Sequence, residues 1–326
     1  MKKKRFLRWI LGILTFLFIV VVAVIIFVTQ FRPGVSLKEV TVELSPERVE
    51  RGKYLANHVM VCMDCHSTRD WTKFSAPIVP GTEGRGGERF DQTMGFPGVF
   101  YSPNITPFHL KDWTDAELYR VITAGVAKGN RPVFPVMPYL NYGKMDDEDI
   151  YSVIAYLRTL PEKESEVPSA DPDFPMNFIL HLIPAEGEPA ARPAMSDIVS
   201  YGQYLVNAAA CVDCHTPFEK GQLLTDQAFT GGREFVTPNG VLVSSNITPD
   251  RQSGIGSWSK EAFVSRFKNF DPAVSGYQAV DEKAFNTIMP WAMYAGMDTT
   301  DLEAIYAYLN TLQPVEKQIT KFVSGN

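Results

Sequence analysis

The chain has 326 residues, enough for about two domains, and its 45% hydrophobic and 21% charged residues exclude a wholly disordered protein. Residues 1–32 hold six of the 31 basic side chains and no acidic one, so the remainder carries 25 basic against 37 acidic residues. We therefore expect no nucleic-acid partner. The acidic body either keeps the protein soluble or docks a basic surface on a protein partner.

The N-terminus has the composition of a membrane anchor. A basic run at residues 2–8 precedes residues 9–28, which contain no charged side chain. Twenty helical residues span roughly 30 Å, the thickness of the hydrocarbon layer. The apolar core of a cleaved signal peptide is shorter and ends at a small-x-small site. We predict that residues 1–32 form an uncleaved single-pass anchor in the cytoplasmic membrane, with the body on the periplasmic, extracytoplasmic side.

A short cysteine motif organises the rest of the chain. It occurs twice and uses all four cysteines, as Cys62-Met63-Asp64-Cys65-His66 and Cys211-Val212-Asp213-Cys214-His215. The spacing C-x-x-C-H is typical of haem attachment, because two thiols one helical turn apart can form thioethers to the haem vinyl groups and the histidine binds the iron. A redox dithiol or half of a zinc site is the alternative for one motif. The repetition favours two covalently bound haem c groups.

Matched blocks around both motifs indicate a duplicated domain. Gly-x-Tyr-Leu, Gly-Gly, Asn-Ile-Thr-Pro, Trp and Met-Pro occur in the same order twice, starting at residues 52, 86, 104, 113 and 137 and again at 202, 231, 246, 258 and 289. Each copy is predicted to open and close with a helix, with one further helix after the Trp. Long period-2 alternation is missing, so we expect an all-α fold with few strands. The predicted units are the anchor 1–32, a first domain 45–161, a linker 162–200 and a second domain 201–315.

The linker 162–200 is rich in proline and holds one apolar island, at residues 176–183. That island is too short to span a membrane. We expect it to pack between the two domains, with contact to lipid as the alternative.

Two methionine positions recur in both copies as candidates for the second axial ligand of the iron. Met145 and Met297 precede the closing helices, where an apolar residue commonly packs against the first turn, so we expect a structural role. Met137 and Met289 precede a proline, which restrains them to extended backbone in a stiff loop. We predict Met137 and Met289 as axial ligands, with Met293 as the alternative in the second domain.

The other histidines and three arginines have two possible roles each. The histidines outside the motifs do not recur between the copies, so we expect surface or supporting roles for His58, His109 and His181. Arginines near the Gly-Gly pairs either bind haem propionates or are solvated, namely Arg85, Arg89 and Arg233. The Asn-Ile-Thr-Pro blocks either cap turns or bind propionates.

These residues resemble the class I c-type cytochromes, and in particular the tandem-haem cytochrome subunits of membrane-bound alcohol and aldehyde dehydrogenases. The resemblance covers residues 45–315 and is most specific at residues 245–250, 254–258 and 136–139. In that family the Met of the M-P-Y element is the axial ligand, which implies this role for Met137 and, as M-P-W, for Met289. It also implies helical domains that bind one haem c each. Those subunits usually bear three haems, so two motifs favour a free-standing dihaem carrier.

The sequence predicts an electron carrier rather than an enzyme. Two irons, each between an imidazole and a thioether, exchange electrons without binding a substrate, and a tether raises the effective concentration at membrane partners. The expected partners are a dehydrogenase or quinol-oxidising complex and a terminal oxidase or soluble cytochrome. The alternatives are an electron-transfer subunit of an alcohol dehydrogenase complex and a dihaem oxidoreductase of the peroxidase type.

Overall fold

Helices dominate the computed structural model, which describes residues 2–30, 35–237 and 239–324. The longer helices are α1 (Lys2–Gln30), α2 (Pro46–Tyr54), α5 (Asp115–Ala124), α7 (Asp147–Thr159), α9 (Ile198–Ala208), α11 (Lys260–Lys268) and α14 (Thr299–Leu309). The four-residue helices are α3 (Cys62–Cys65), α4 (Pro107–Leu110), α6 (Tyr139–Tyr142), α8 (Met176–Ile179), α10 (Cys211–Cys214), α12 (Pro272–Ser275) and α13 (Trp291–Tyr294). Shorter 3-10 turns lie at Gln92–Met94, Lys128–Asn130, Leu180–Leu182 and Thr225–Gln227.

Helix α1 is long and apolar enough to cross a membrane. Its segment Lys2–Phe27 includes an 18-residue window of mean hydropathy 3.3, and the rest of the chain buries none of that window. A signal sequence near the N-terminus has the same properties, so length and composition support the anchor without excluding cleavage. Residues 1, 31 and 32 of the predicted anchor lie outside the described residues.

In each domain the opening helix crosses the closing helix at close range, α2 over α7 and α9 over α14. Gly52 and Gly202 stand at the two crossings. A Cβ atom at Gly52 would lie 1.7 Å from the carbonyl oxygen of Ser152, and one at Gly202 would lie 1.9 Å from that of Ala304. Only glycine allows the backbones to approach so closely. This explains the repeated Gly-x-Tyr-Leu block and confirms the prediction of opening and closing helices.

The stretch from Gly52 to Cys62 is one residue longer than the corresponding stretch from Gly202 to Cys211. The extra residue is absorbed in a π-turn at Leu55–Val59, whereas α9 runs as regular α-helix to Ala208. His58 lies in this π-turn, and its Nδ1 donates to the carbonyl of Met293 in the second domain at 2.9 Å. His58 therefore has a supporting role at the contact between the domains.

The strands are two to four residues long and antiparallel. One three-stranded sheet has the order β1–β2–β5, formed by Arg89–Phe90, Gly98–Tyr101 and Asp171–Pro172. A second has the order β10–β9–β8, formed by Phe322–Ser324, Gly240–Val243 and Glu234–Thr237. Two hairpins pair β3 (Val126–Ala127) with β4 (Arg131–Pro132) and β6 (Phe218–Glu219) with β7 (Gln222–Leu223).

The apolar island of the linker packs on the first domain, and the expectation that it lies between the domains is wrong. Leu180 is buried against Phe90 and Phe100 of that domain. The island also touches helix α1, and Ile179 and Leu182 remain exposed. The aromatic side chains of the β1–β2 sheet provide the nearest apolar surface, which the sequence pattern did not reveal.

The two domains meet in a reciprocal set of hydrogen bonds. The Tyr54 hydroxyl of α2 donates to Asp301 of α14 at 2.7 Å, and the Tyr204 hydroxyl of α9 donates to Asp149 of α7 at 2.7 Å. Each hydroxyl also accepts a backbone N–H from the start of the same closing helix, at 3.0 and 3.3 Å. One hydrophobic core contains residues of both domains. The interface thus has the self-complementary pattern of a twofold contact.

Candidate haem sites

Each C-x-x-C-H motif begins with one helical turn, α3 in the first domain and α10 in the second. The residue before each turn has a left-handed backbone, Val61 with φ +48° and Ala210 with φ +50°. The N–H of the motif's histidine donates to the carbonyl of its first cysteine, at 3.0 and 2.9 Å. Residues three apart on a helical turn share a face, so the two thiols lie side by side next to the histidine.

No disulfide joins the four cysteines, so each thiol is available for a thioether to haem. Desolvation raises the pKa of Cys62, Cys65 and Cys211 to about 12, and that of Cys214, the most exposed of the four, to about 11. Redox-active C-x-x-C motifs have depressed thiol pKa values. The environment of both motifs is therefore unlike that of a redox dithiol.

Both predicted proximal histidines are oriented by a backbone carbonyl. Nδ1 of His66 donates to the Pro103 carbonyl and Nδ1 of His215 to the Ser245 carbonyl, each at 2.8 Å. Burial lowers the pKa of both imidazoles, and the hydrogen bonds to the carbonyls oppose this only in part. Both rings are therefore neutral, with the proton on Nδ1 and a lone pair on Nε2, the form that binds a metal ion.

The repeated Asn-Ile-Thr-Pro block holds these carbonyls in place, since its asparagine directly follows them. The Asn104 side-chain oxygen accepts from the N–H and hydroxyl of Thr106 at 2.8 and 2.7 Å, and its amide donates to the Lys163 carbonyl at 2.7 Å. Asn246 makes the same bonds to Thr248 at 2.9 and 2.8 Å. The block therefore caps a turn in both domains, one of its two predicted roles, and contact with haem propionates stays a prediction.

The aspartate inside each motif has a different partner. Asp64 lies 3.3 Å from the guanidinium of Arg69, which also reaches Glu88 at 2.6 Å. Burial raises the pKa of Asp64 to about 6, and the charge of Arg69 opposes this rise. Asp213 instead accepts from the amide of Asn141, in the other domain, at 2.7 Å. Burial raises the pKa of Asp213 too, against the opposing charge of Arg233.

Two of the arginines near the Gly-Gly pairs have protein partners. Arg89 pairs with Asp91 at 2.9 Å. The guanidinium of Arg233 lies over the rings of Phe218 and Phe235, at 4.5 and 5.2 Å from their centroids. Contact between these arginines or Arg85 and haem propionates stays a prediction.

The two methionine pairs differ in burial. Met145 and Met297 are fully buried in the core, which confirms their structural role. Met137 and Met289 are half-buried at the edge of that core. The carbonyl of each accepts a hydrogen bond of 2.8 Å from the N–H of the residue two positions later. Met293 is half-buried too and lines a cavity of about 120 Å³ between the domains. The assignment of Met137 and Met289 as iron ligands stays a prediction.

Comparison with known proteins decides the family. The family model for cytochrome c matches residues 49–161 and again residues 199–313. The chain belongs to the cytochrome c family. The prediction of two tandem, mainly helical cytochrome c domains with two covalently bound haem c groups is confirmed.

This cytochrome is similar to cytochrome subunits of dehydrogenases. It is 27% identical to the fructose dehydrogenase cytochrome subunit of Gluconobacter japonicus, over 81% of this chain and 52% of that subunit. It is 25% identical to the cytochrome c subunit of the quinone-dependent alcohol dehydrogenase of Gluconacetobacter polyoxogenes, over 82% of this chain and 56% of that subunit. The chain thus spans about half the length of these subunits. It is also 28% identical to a diheme c-type cytochrome of Cereibacter sphaeroides, over 78% of this chain and 83% of that protein.

The described residues of this cytochrome fit one haem in each domain. Each domain supplies two adjacent thiols and a neutral imidazole. In the first domain, Tyr139 is fully buried and its hydroxyl has no hydrogen-bond partner within the described chain. Burial raises the pKa of that hydroxyl well above its usual value, so it stays protonated and can donate to an acceptor such as a haem propionate.

The repeated sequence blocks do not reveal Arg69 and Asn141, the partners of the two motif aspartates. The aligned positions in the other domain hold Phe218 and Met293, so neither residue recurs. The available signal was the aspartate itself, because a carboxylate beside a buried haem motif needs a cation or a hydrogen-bond donor.

Proposed function

We propose that this dihaem cytochrome relays single electrons on the extracytoplasmic side of a membrane, between a dehydrogenase or quinol-oxidising complex and an acceptor such as a terminal oxidase or soluble cytochrome. Relatives named as cytochrome subunits of fructose, gluconate and alcohol dehydrogenases support a dehydrogenase as electron donor. The apolar helix α1 supports a tether beside such a complex. The acidic body suits a basic surface on the partner.

In this proposal every ligand comes from the chain. The first domain binds its haem through Cys62, Cys65, His66 and Met137, and the second through Cys211, Cys214, His215 and Met289. Haem iron supplies a one-electron couple when bound. The hydrogen-bonded carbonyls would hold each imidazole in one orientation toward its haem, beside a core of buried apolar side chains.

The observation that carries the proposal is the match between the domains. Both have a neutral histidine held by a carbonyl and a methionine on a proline-restrained loop. An iron with a protein ligand on both faces has no open position for a reactant. Electron relay is therefore favoured over peroxidase chemistry. In this proposal the cytochrome carries electrons for a reaction that its partner catalyses.

The experiment replaces each predicted axial methionine in the haem-loaded full chain. Ferric haem c with a thioether ligand has a near-infrared charge-transfer band, and we expect Met137→Ala and Met289→Ala each to remove about half of it and to lower one midpoint potential. The control variants Met145→Ala and Met297→Ala should keep the band, although each loses about 2–5 kcal/mol of stability. A wild-type protein with one high-spin, peroxide-reactive haem would contradict the relay.

A further inference from the structure

A loop of the first domain lies against the segment of the second domain that carries Met289. This bridging loop comprises residues 70–79. The N–H of Phe74 donates to the Gln278 carbonyl, and the N–H of Val280 donates to the Thr72 carbonyl, both at 2.8 Å. The ring of Phe74 stacks on Phe270 of the second domain with centroids 5.4 Å apart. The contact is therefore made by backbone and side chains together.

Asn286 joins the bridging loop to the start of the Met289 segment. It is fully buried, and its side-chain oxygen accepts the N–H of Ser75 at 2.9 Å. Its amide donates to the carbonyls of Trp71 and Lys73 at 3.2 and 3.1 Å. One side chain of the second domain thus satisfies three backbone groups of the first.

Ser75 contacts the backbone of the predicted ligand directly. Its hydroxyl donates to the Met289 carbonyl at 2.5 Å and accepts the N–H of Trp291 at 3.0 Å. The Trp291 N–H also donates to the Met289 carbonyl at 2.8 Å. The buried hydroxyl therefore holds both sides of the Met-Pro turn in one position.

The backbone of the bridging loop is strained at this point. Ser75 and Ala76 are consecutive, buried, non-glycine residues with φ of +66° and +41°. Such conformations cost free energy and persist only where the surroundings hold them. Here two hydrogen bonds hold them, one from the Ser75 N–H to the Asn286 side-chain oxygen and one from the Ser75 hydroxyl to the Met289 carbonyl.

Within the part of the chain that the structure describes, the methionine loop of the first domain makes no bond equivalent to the one between Ser75 and Met289. The Met137 carbonyl accepts the N–H of Tyr139 within the same domain. Phe134 stands at the position aligned with Asn286, and its ring stacks on Phe100 of the same domain at 4.3 Å. Among the described residues, a hydrogen bond from the other domain to the carbonyl of the methionine is therefore found at Met289 and not at Met137.

We propose that Ser75 is a positioning residue for the second haem, so that the first domain holds the axial methionine loop of the second. This rests on the proposed role of Met289 as ligand. Without the Ser75 hydroxyl, the Met289 loop gains freedom and the sulfur spends less time on the iron. The second haem then has a lower potential, because a thioether ligand raises it, while the first haem is unchanged.

The test compares Ser75→Gly and Ser75→Ala in the haem-loaded full chain. Both remove the hydroxyl, but glycine adopts a positive φ without strain, so Ser75→Gly keeps the fold and separates positioning from folding. We expect both variants to lose near-infrared band intensity and to shift one of the two midpoint potentials downward. In a Met137→Ala background, the near-infrared band reports on the second haem alone. Adding Ser75→Gly to that variant should lower the intensity of the band several-fold.

Two controls make the outcomes distinct. Ser152→Ala removes another buried serine hydroxyl, which donates to Glu148 inside α7 at 2.7 Å, and should leave band and potentials unchanged. If Met289→Ala leaves the band intact, the ligand assignment fails. If Met289→Ala removes its share of the band but both Ser75 variants keep wild-type band and potentials, the positioning role of Ser75 alone is overturned.

Discussion

The two domains repeat the same helices, yet the two halves of their interface are held by different chemistry. In one half, Asp149 receives two bonds of 2.9 Å from Arg51 and one of 2.7 Å from Arg192. In the other half, Asp301 receives a hydroxyl bond of 3.0 Å from Tyr201, which stands at the position aligned with Arg51. Both carboxylates are almost fully buried.

The difference shows that one fold position can satisfy a buried carboxylate by charge or by hydroxyl groups. The two solutions respond differently to the loss of a partner. An unpaired buried charge costs more than a lost neutral hydrogen bond. Variants on the two sides should therefore have unequal effects.

The largest effect is expected from Arg51→Met. It removes the two-bond partner of buried Asp149 and leaves the single bond from Arg192. Breaking a buried ion pair costs about 3–5 kcal/mol, and the remaining arginine places the expected loss at the lower end of that range. The control is Arg48→Met, one turn earlier on α2, because the partner of Arg48 is the exposed Glu148. That exposed pair should contribute less than about 1 kcal/mol. Denaturant unfolding of the haem-loaded proteins measures both, and equal losses would contradict the comparison.

A smaller and unequal effect is expected from the two reciprocal tyrosines. Tyr54→Phe and Tyr204→Phe each remove a hydrogen bond to a carboxylate, which contributes about 1.5–3 kcal/mol. Tyr54→Phe should lie at the upper end, because Asp301 has hydroxyl partners, whereas Asp149 keeps its two arginines. The same unfolding experiment decides. A larger loss for Tyr204→Phe would show that the arginines do not compensate.

A similar or smaller loss of stability is expected from a steric change at Gly296 of the second domain, which aligns with Lys144 of the first. A Cβ atom at Gly296 would lie 2.1 Å from Nδ1 of His58. Gly296→Ala should therefore cost about 1–3 kcal/mol through overpacking. Adding His58→Ala should recover most of this loss. If the double variant loses the sum of the two single losses, the two residues are not coupled.

The smallest effect concerns acid stability. Burial alone would raise the pKa of Asp149, but the hydrogen bonds and charge of Arg51, together with the Tyr204 hydrogen bond and the charge of Arg192, outweigh it, and the pKa lies below its ordinary value of 3.8. The Asp149 carboxylate therefore contributes stability that is present above pH 3.8 and is lost as the pH falls through its lowered pKa in the folded protein. Arg51→Met should reduce that loss. The measurement is the unfolding free energy of wild type, Arg51→Met and Arg48→Met at pH 5 and pH 3, and identical pH dependence in all three would refute it.

Repetition and local spacing were sufficient to predict the haem motifs, the helices around them and the family. Two cysteines one turn apart place their thiols together whatever the rest of the chain does. Gly52 and Gly202 recur because each crossing needs close backbones. The structural role of Met145 and Met297 was predictable for the same reason, since an apolar residue before a helix packs on its first turn.

The partner of each buried polar group was decided only by the tertiary structure. Asp64 and Asp213 occupy the same motif position, yet one lies beside Arg69 and the other accepts from Asn141. Ser75 reaches Met289 across 214 positions of the chain. No local spacing encodes such contacts, because they depend on how two folded domains meet. The chain sequence alone therefore determined what each domain binds, and the tertiary packing decided which side chains bond the motif aspartates and the Met289 carbonyl.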